Sequence, residues 1–340
     1  MKDRPQGITE RSIARALDTG WGLGGWTLAY APVGAGSYHW LASSGDGGSG
    51  ERRFVTVDDL DDKGWLGRTR PEVFAGLRVA MDAAVALRRT GLGFVAAPEP
   101  GQAGQAVAPL GDRHAVAVFP FLDGAPSEWG QPLSAPDRDD LTAMLASLHQ
   151  TAPAALHRTD PAAVRLPRVE PGLSWRGDLE TALTGLGQPW TAGPYAEPAR
   201  ALLAGAAPQI RRHLDRLDRE TTRLAAADVV ITHGEPHPGN VMRTADGLTL
   251  IDWDTVGLAP PERDLWMVAT ETGDELRRYT ELTGRPVDPA ALDFYRLRWA
   301  LDDLSCFIRD LRAPHQPTPG TEDAWINLQA TLSDLARLPA

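Results

Sequence analysis

Residues 229–254 read Val-Val-Ile-Thr-His-Gly-Glu-Pro-His-Pro-Gly-Asn-Val-Met-Arg-Thr-Ala-Asp-Gly-Leu-Thr-Leu-Ile-Asp-Trp-Asp. Two short apolar runs, 229–231 and 248–251, flank a loop dense in groups that bind metal or move protons. Runs of that length are read as buried strands. Glu235, Asn240, Asp252 and Asp254 stand between and after them. Carboxylates next to buried strands are costly without partners, so the loop is a candidate site and the rest of the chain its scaffold.

Asn240 and Asp252 each offer an oxygen to Mg²⁺, which takes few protein ligands and fills its shell from water and phosphate. Asp254 adds a second carboxylate; in a strand it points to the face opposite Asp252. A ligand role and a structural role both stay open for it. His233 and His237 have the spacing of a helical zinc pair, but Pro236 and Pro238 forbid a helix there. Glu235 precedes Asn240 by five residues. In the protein-kinase catalytic loop a carboxylate base precedes a metal-binding Asn by that same interval.

Outward from the loop, the chain splits by pattern. Residues 8–19 read as a helix capped by Thr9, and 27–33, 38–42 and 53–57 as strands of an antiparallel meander. The first hairpin turn holds Gly34, Gly36 and Ser37, where backbone can approach a phosphate closely. An ordinary hairpin turn has the same composition. A flexible loop is expected over 43–50, a helix over 71–89, and strands over 94–97 and 115–121. A break at 123–126 marks a lobe boundary, giving units 1–122 and 123–340. Beyond it the pattern is helical: 137–149, then 195–227 with a break near Pro208, then 274–282, 289–311 and 321–338. Residues 151–175 are Pro-rich and expected to be irregular.

A length of 340 residues, 42% hydrophobic and 23% charged, suits a globular protein of two lobes. A net charge of −11 argues against a nucleic-acid partner and fits a cationic ligand. The single cysteine, Cys306, rules out an internal disulfide. No apolar leader or membrane-length run is evident, so a cytoplasmic protein with no membrane contact is expected, monomeric or weakly dimeric. Lysine occurs only as Lys2 and Lys63.

The run His233-Gly-Glu235-Pro-His237-Pro-Gly-Asn240, then Leu250-Ile-Asp252-Trp-Asp254, then Ala259-Pro-Pro-Glu262-Arg-Asp264-Leu resembles the aminoglycoside phosphotransferase family. It is most similar to the spectinomycin-phosphotransferase-like branch. The specific match spans about residues 229–268; the N-terminal part fits by topology. The resemblance implies an α+β, bilobal protein-kinase-like fold with a small β-rich N-lobe for nucleotide and a larger, mostly helical C-lobe for catalysis and substrate. It implies ATP-dependent transfer of phosphate to a small-molecule hydroxyl, with GTP as an open alternative donor. Asn240 and Asp252 become Mg²⁺ ligands, Glu235 the catalytic base, His233 a structural loop residue and Asp264 a loop brace. The hinge beside the nucleotide base becomes 119–122, with Phe119, Phe121 and Leu122.

The sequence departs from the family twice. The base is Asp in the family and Glu235 here, one methylene longer. Thr56 stands where the strand lysine belongs, and helix 71–89 has only Glu72 and Asp82 as acids. Lys63 is the lysine substitute; its alternative is a solvated side chain beside Asp61 and Asp62. For the acceptor, Asp302, Asp303 and Trp299 on helix 289–311 are candidates, with a solvated helix face as their alternative. Three functions follow: phosphorylation of an aminoglycoside or related hydroxylated antibiotic, a pseudokinase that binds nucleotide without turnover, and a kinase of a sugar, choline or homoserine.

Overall fold

A computed structural model describes residues 1–45, 50–127, 130–159 and 164–339. The expected loop 43–50 lies partly outside these residues. Helix α1 (Glu10–Trp21) starts at a reciprocal cap between Thr9 and Ser12 and stops at Gly22, whose φ of 71° suits glycine. Strands β1 (Thr27–Ala31), β2 (Tyr38–Ser43) and β3 (Arg52–Asp59) form a meander. Helix α2 (Arg70–Arg89) follows, with Thr69 and Glu72 in a capping box. Strands β4 (Val107–Leu110) and β5 (His114–Pro120) complete an antiparallel sheet in the order β1-β2-β3-β5-β4.

Alternation along the strands decides what faces what. Val55 and Val57 of β3 join Val116 and Val118 of β5, with Ile13 and Leu17 of α1, in one core. The other face of β5, Ala115 and Ala117, packs with Val73, Leu77 and Met81 of α2. Thr56 pairs with Ala117 and Asp58 with Ala115, so both β3 residues lie on this α2 side of the sheet.

Strand β6 (Gly124–Pro126), helix α3 (Ala135–Gln150) and helix α4 (Pro153–Thr159) come next. Helices α5 (Arg176–Thr184) and α6 (Ala196–Leu224) precede β7 (Val230–Thr232), β8 (Val241–Thr244), β9 (Gly247–Leu250) and β10 (Gly257–Ala259). Helices α7 (Glu262–Val268), α8 (Asp274–Thr283), α9 (Pro289–Arg312) and α10 (Pro319–Arg337) end the chain. Strands β6, β8 and β9 form one small sheet, β7 and β10 another. Among the described residues no helix is long and apolar enough to cross a membrane.

Two compact units emerge: residues 1, 3–169 and 228–287, and residues 2, 170–227 and 288–340. They do not divide at 122/123. Within 123–126, Gly124–Pro126 form strand β6 rather than a break, because they pair with β8. Phe94 and Ala96 bond to Leu250 on both sides of one residue, which ties 228–287 to the N-terminal residues. The stretch 94–97 is therefore not a strand of the N-terminal sheet; Val95 makes only an isolated bridge to Leu250. Its expected place is taken by β4, drawn from a Gly/Pro/Gln-rich stretch. Residues 151–175 hold α4, with 160–163 outside the description.

The second unit is helical, α5, α6, α9 and α10. Pro208 does not break α6, which runs through it with Leu203, Ala207 and Ile210 buried and Pro208 exposed. Proline in a helix interior costs about 3 kcal/mol in lost hydrogen bonding and ring clash. Pro208→Ala should therefore raise stability by about 1–3 kcal/mol, read as a higher urea midpoint. An unchanged or lower midpoint would mean that Pro208 carries no net cost in this helix.

Candidate active site

The loop after β7 is held by one carboxylate. Asp264, in the first turn of α7, accepts the backbone N–H of His233 at 2.8 Å and of Gly234 at 2.6 Å. Its Oδ2 also accepts His149 Nε2 at 3.0 Å, and His149 Nδ1 meets the Tyr279 hydroxyl at 2.9 Å. Burial works to raise the Asp264 pKa, but His149 and Arg263 outweigh it and hold the carboxyl below its ordinary value. Gly234 sits at φ 103°, and a Cβ there would strike the Arg263 guanidinium. That guanidinium donates to Thr232 Oγ1 and to the Thr255 carbonyl. Burial keeps His233 neutral. Its Nε2 donates to the Ile251 carbonyl at 2.9 Å while its Nδ1 accepts Glu235 N–H at 3.2 Å. One imidazole thus joins the two ends of the loop.

Glu235 is half-buried. Its carbonyl accepts Asn240 Nδ2 at 2.9 Å, and the same amide meets His237 Nε2 at 3.2 Å. Burial, with His233 nearby, lowers His237 to about 3, so its ring is neutral and Nε2 accepts. Asn240 therefore commits its amide hydrogens to Glu235 and His237, not its Oδ1. Its backbone carbonyl accepts Ile251 N–H at 3.0 Å, which sets Asp252 next to it.

Asp252 has φ 63°, the one positive φ outside glycine among the described residues. This left-handed conformation disfavours side chains, though Asp and Asn tolerate it. It ends the strand at Leu250, so the alternation that should send Asp252 and Asp254 to opposite faces does not apply. The two carboxyls instead meet within hydrogen-bonding reach. Burial first, then Asp254, push Asp252 well above the ordinary carboxylate range, against the pull of Lys63. Three carboxylates, Asp58, Asp252 and Asp254, thus surround one ammonium. That surplus of carboxylate oxygen fits a divalent cation. Among the described residues no three His, Cys, Asp or Glu side chains gather as a complete metal site.

Lys63 is not solvated; it is 2% exposed. Its Nζ lies 2.6 Å from Asp254 and 3.1 Å from Asp58. Burial works to lower its pKa, but Asp254 and Asp58 raise it, so the ammonium stays charged. Thr56, half-buried, faces His39 with Oγ1 3.3 Å from Nδ1. In the hairpin turn Gly34 and Gly36 have φ 68° and 79°, which suit glycine. The Ser37 hydroxyl is turned inward and donates to Asp58 at 2.6 Å. Phe119 is next to last in β5, and Phe121 lies under the Arg52 guanidinium at 3.8 Å, followed by half-buried Leu122.

The structure thus gathers Glu235, Asn240, Asp252, Asp254 and Lys63 in the first unit. Asp302, Asp303 and Trp299 belong to α9 of the second. Asp302 accepts Ser174 N–H at 2.8 Å and its hydroxyl at 3.2 Å, with Arg298 at 3.6 Å, so it braces its own unit. Half-buried Asp303 is pushed up to about 7 by burial and by Asp302, against a hydrogen bond with Trp299. Reading the sequence missed Asp58, His149, Tyr279 and Arg263. Asp58 had a usable signal, two residues beyond Thr56 on the same strand face.

Asp264→Ala would leave two buried N–H groups and His149 unpaired. It should cost about 3–5 kcal/mol, seen as a lower denaturation midpoint together with lost activity. Asp303 has a folded pKa above its unfolded value of 3.8. Its contribution to folding is full below that value and is lost as pH rises through about 7. Stability should fall between those limits, and Asp303→Asn should flatten the slope; an identical slope in the variant refutes the assignment.

The chain is 29% identical over 265 residues to Protein StrN of Streptomyces griseus, covering 75% of this chain and 76% of that one. Its fold matches that of spectinomycin phosphotransferase APH(9)-Ia, solved with ADP and spectinomycin, at a TM-score of 0.73 and 17% identity, over 98% and 99% of the two chains. It also matches amicoumacin kinase hAmiN, solved with AMP-PNP, Ca²⁺ and Ami, at a TM-score of 0.55 and 14% identity, over 96% and 93%. The fold is thus mixed α+β and kinase-like, with a β-sheet N-terminal region and a helical C-terminal region. Residues 45–295, well over half of the chain, match the phosphotransferase enzyme family, and the chain belongs to that family.

Proposed function

We propose that the chain transfers the terminal phosphoryl group of ATP, with Mg²⁺, to a hydroxyl of an aminoglycoside or related antibiotic. One observation carries the reading: a single loop presents the Glu235 carboxylate and the Asn240 amide, and the Glu235 carbonyl itself orients that amide. Glu235 accepts the proton of the acceptor hydroxyl. Asn240 Oδ1 and Asp252 hold the Mg²⁺, which when bound neutralises charge on the nucleotide phosphates. The carboxylate surplus around Asp252 supports that assignment. Lys63 supplies the fixed positive charge that Thr56 does not. The turn with Gly34, Gly36 and Ser37 covers the phosphates, and Phe119, Phe121 and Leu122 border the nucleotide base at the lobe hinge. The net charge of −11 favours a cationic acceptor.

The runner-up, a nucleotide-binding protein without turnover, rests on Glu235, whose side chain is one methylene longer than the family's Asp. Incubation with ATP or GTP, Mg²⁺ and a panel of aminoglycosides, spectinomycin, choline and sugars separates the readings by product mass. An antibiotic phosphate with ADP release is expected; a phosphorylated metabolite alone would replace the acceptor class, and nucleotide binding without product would favour the runner-up. Glu235→Gln should lower kcat by about 10²–10⁴, and Asp252→Asn should abolish turnover. An undiminished rate in Glu235→Gln would end its role as base.

A further inference from the structure

The sheet-side partner of Lys63 is Asp58, which the family pattern leaves without a role. Asp58 is 4% exposed on β3 and accepts Ser37 Oγ at 2.6 Å. Lys63 Nζ lies 3.1 Å from the same Asp58 oxygen and 3.3 Å from Ser37 Oγ, so the three groups close a triangle. A strand lysine would look to α2 for its carboxylate, but the acids of α2, Glu72 and Asp82, are not among the partners of Lys63. Glu72 spends its carboxylate on the N–H groups of Arg68 and Thr69 at 2.9 and 3.1 Å. The face that α2 turns to the sheet is Val73, Leu77 and Met81.

The segment that carries Lys63 is held from several directions. Asp59 takes Arg113 with both oxygens, Asp61 pairs with Arg70 at 2.7 Å, and the Lys63 carbonyl accepts Leu66 N–H at 3.0 Å. The Trp65 ring lies 5.2 Å from Nζ. Without Asp58, the ammonium loses its carboxylate on the sheet and is drawn toward Asp254.

We propose that Asp58 is a positioning residue for phosphoryl transfer: from the strand, with Ser37, it holds the loop-borne Lys63 where the ammonium meets the nucleotide phosphates. The proposal rests on the phosphotransferase reading above. Strand and loop have exchanged roles, the strand carrying the anion and the loop the cation.

The test combines calorimetric binding of Mg²⁺·ADP with steady-state kinetics and melting of the full chain. Asp58→Asn should weaken Mg²⁺·ADP binding and raise KM for ATP by about tenfold, leaving KM for the acceptor unchanged. Ser37→Ala should move both in the same direction by less. Combined with Lys63→Met, Asp58→Asn should add no more than about a further twofold, because its effect runs through that lysine. Asp58→Asn with a lower melting temperature but unchanged Mg²⁺·ADP binding would make Asp58 merely structural and overturn the proposal. Losses that multiply in the double variant would do the same. Should the Lys63 variant not fold, the Asp58→Asn and Ser37→Ala pair decides alone. A wild-type chain that binds no Mg²⁺·ADP overturns the underlying reading, and this inference with it.

Discussion

A buried carboxylate, Asp264, sets the geometry on which the catalytic loop depends. An unpaired charge in that position would be strongly destabilising, so Asp264 must be fully satisfied, and two backbone N–H groups and His149 satisfy it. The loop backbone is thereby fixed at Gly234, and everything after it inherits that registration. His233 then links Glu235 to Ile251, and Asn240 links to Ile251 by its carbonyl. Glu235, Asn240 and Asp252 are thus positioned largely through backbone contacts, which side-chain motion disturbs little.

Around that frame the electrostatics are deliberately unbalanced. Asp58, Asp252 and Asp254 meet one ammonium, and burial first, then Asp254, raise the Asp252 pKa. A binding site for a cation and a polyanion needs such groups in place before the ligands arrive, because reorganisation during reaction is costly. The left-handed backbone at Asp252 belongs to the same arrangement. It abandons strand alternation so that two neighbouring carboxylates face one another.

Much of this was legible in the sequence, because the loop residues are local. Glu235, Asn240 and Asp252 lie within one short stretch, and their spacing alone suggests a base with a ligand. The helices were legible through apolar stripes and caps, as at Thr9 and at Pro71. What escaped notice depends on tertiary pairing. Strand β4 has weak propensity and exists because β5 pairs with it; β6 is a strand only because β8 lies beside it. The stretch 94–97 has strand composition but finds its partner at Leu250. Pro208 looked like a break because local rules penalise it, while burial of the flanking residues carries the helix through. The environment of Lys63 could not be read, since Asp58 and Asp254 are far from each other in sequence.

The exchange of strand and loop roles at Lys63 bears on control. In kinases that pair a strand lysine with a helix glutamate, swinging the helix makes or breaks the pair and so switches the enzyme. Here the anion stands in β3 and the cation in the segment right behind it, both fixed when the sheet forms. Displacing α2 cannot sever them. On this reading the chain has no such lever at α2, and its lysine is set by the strand carboxylate together with Asp254.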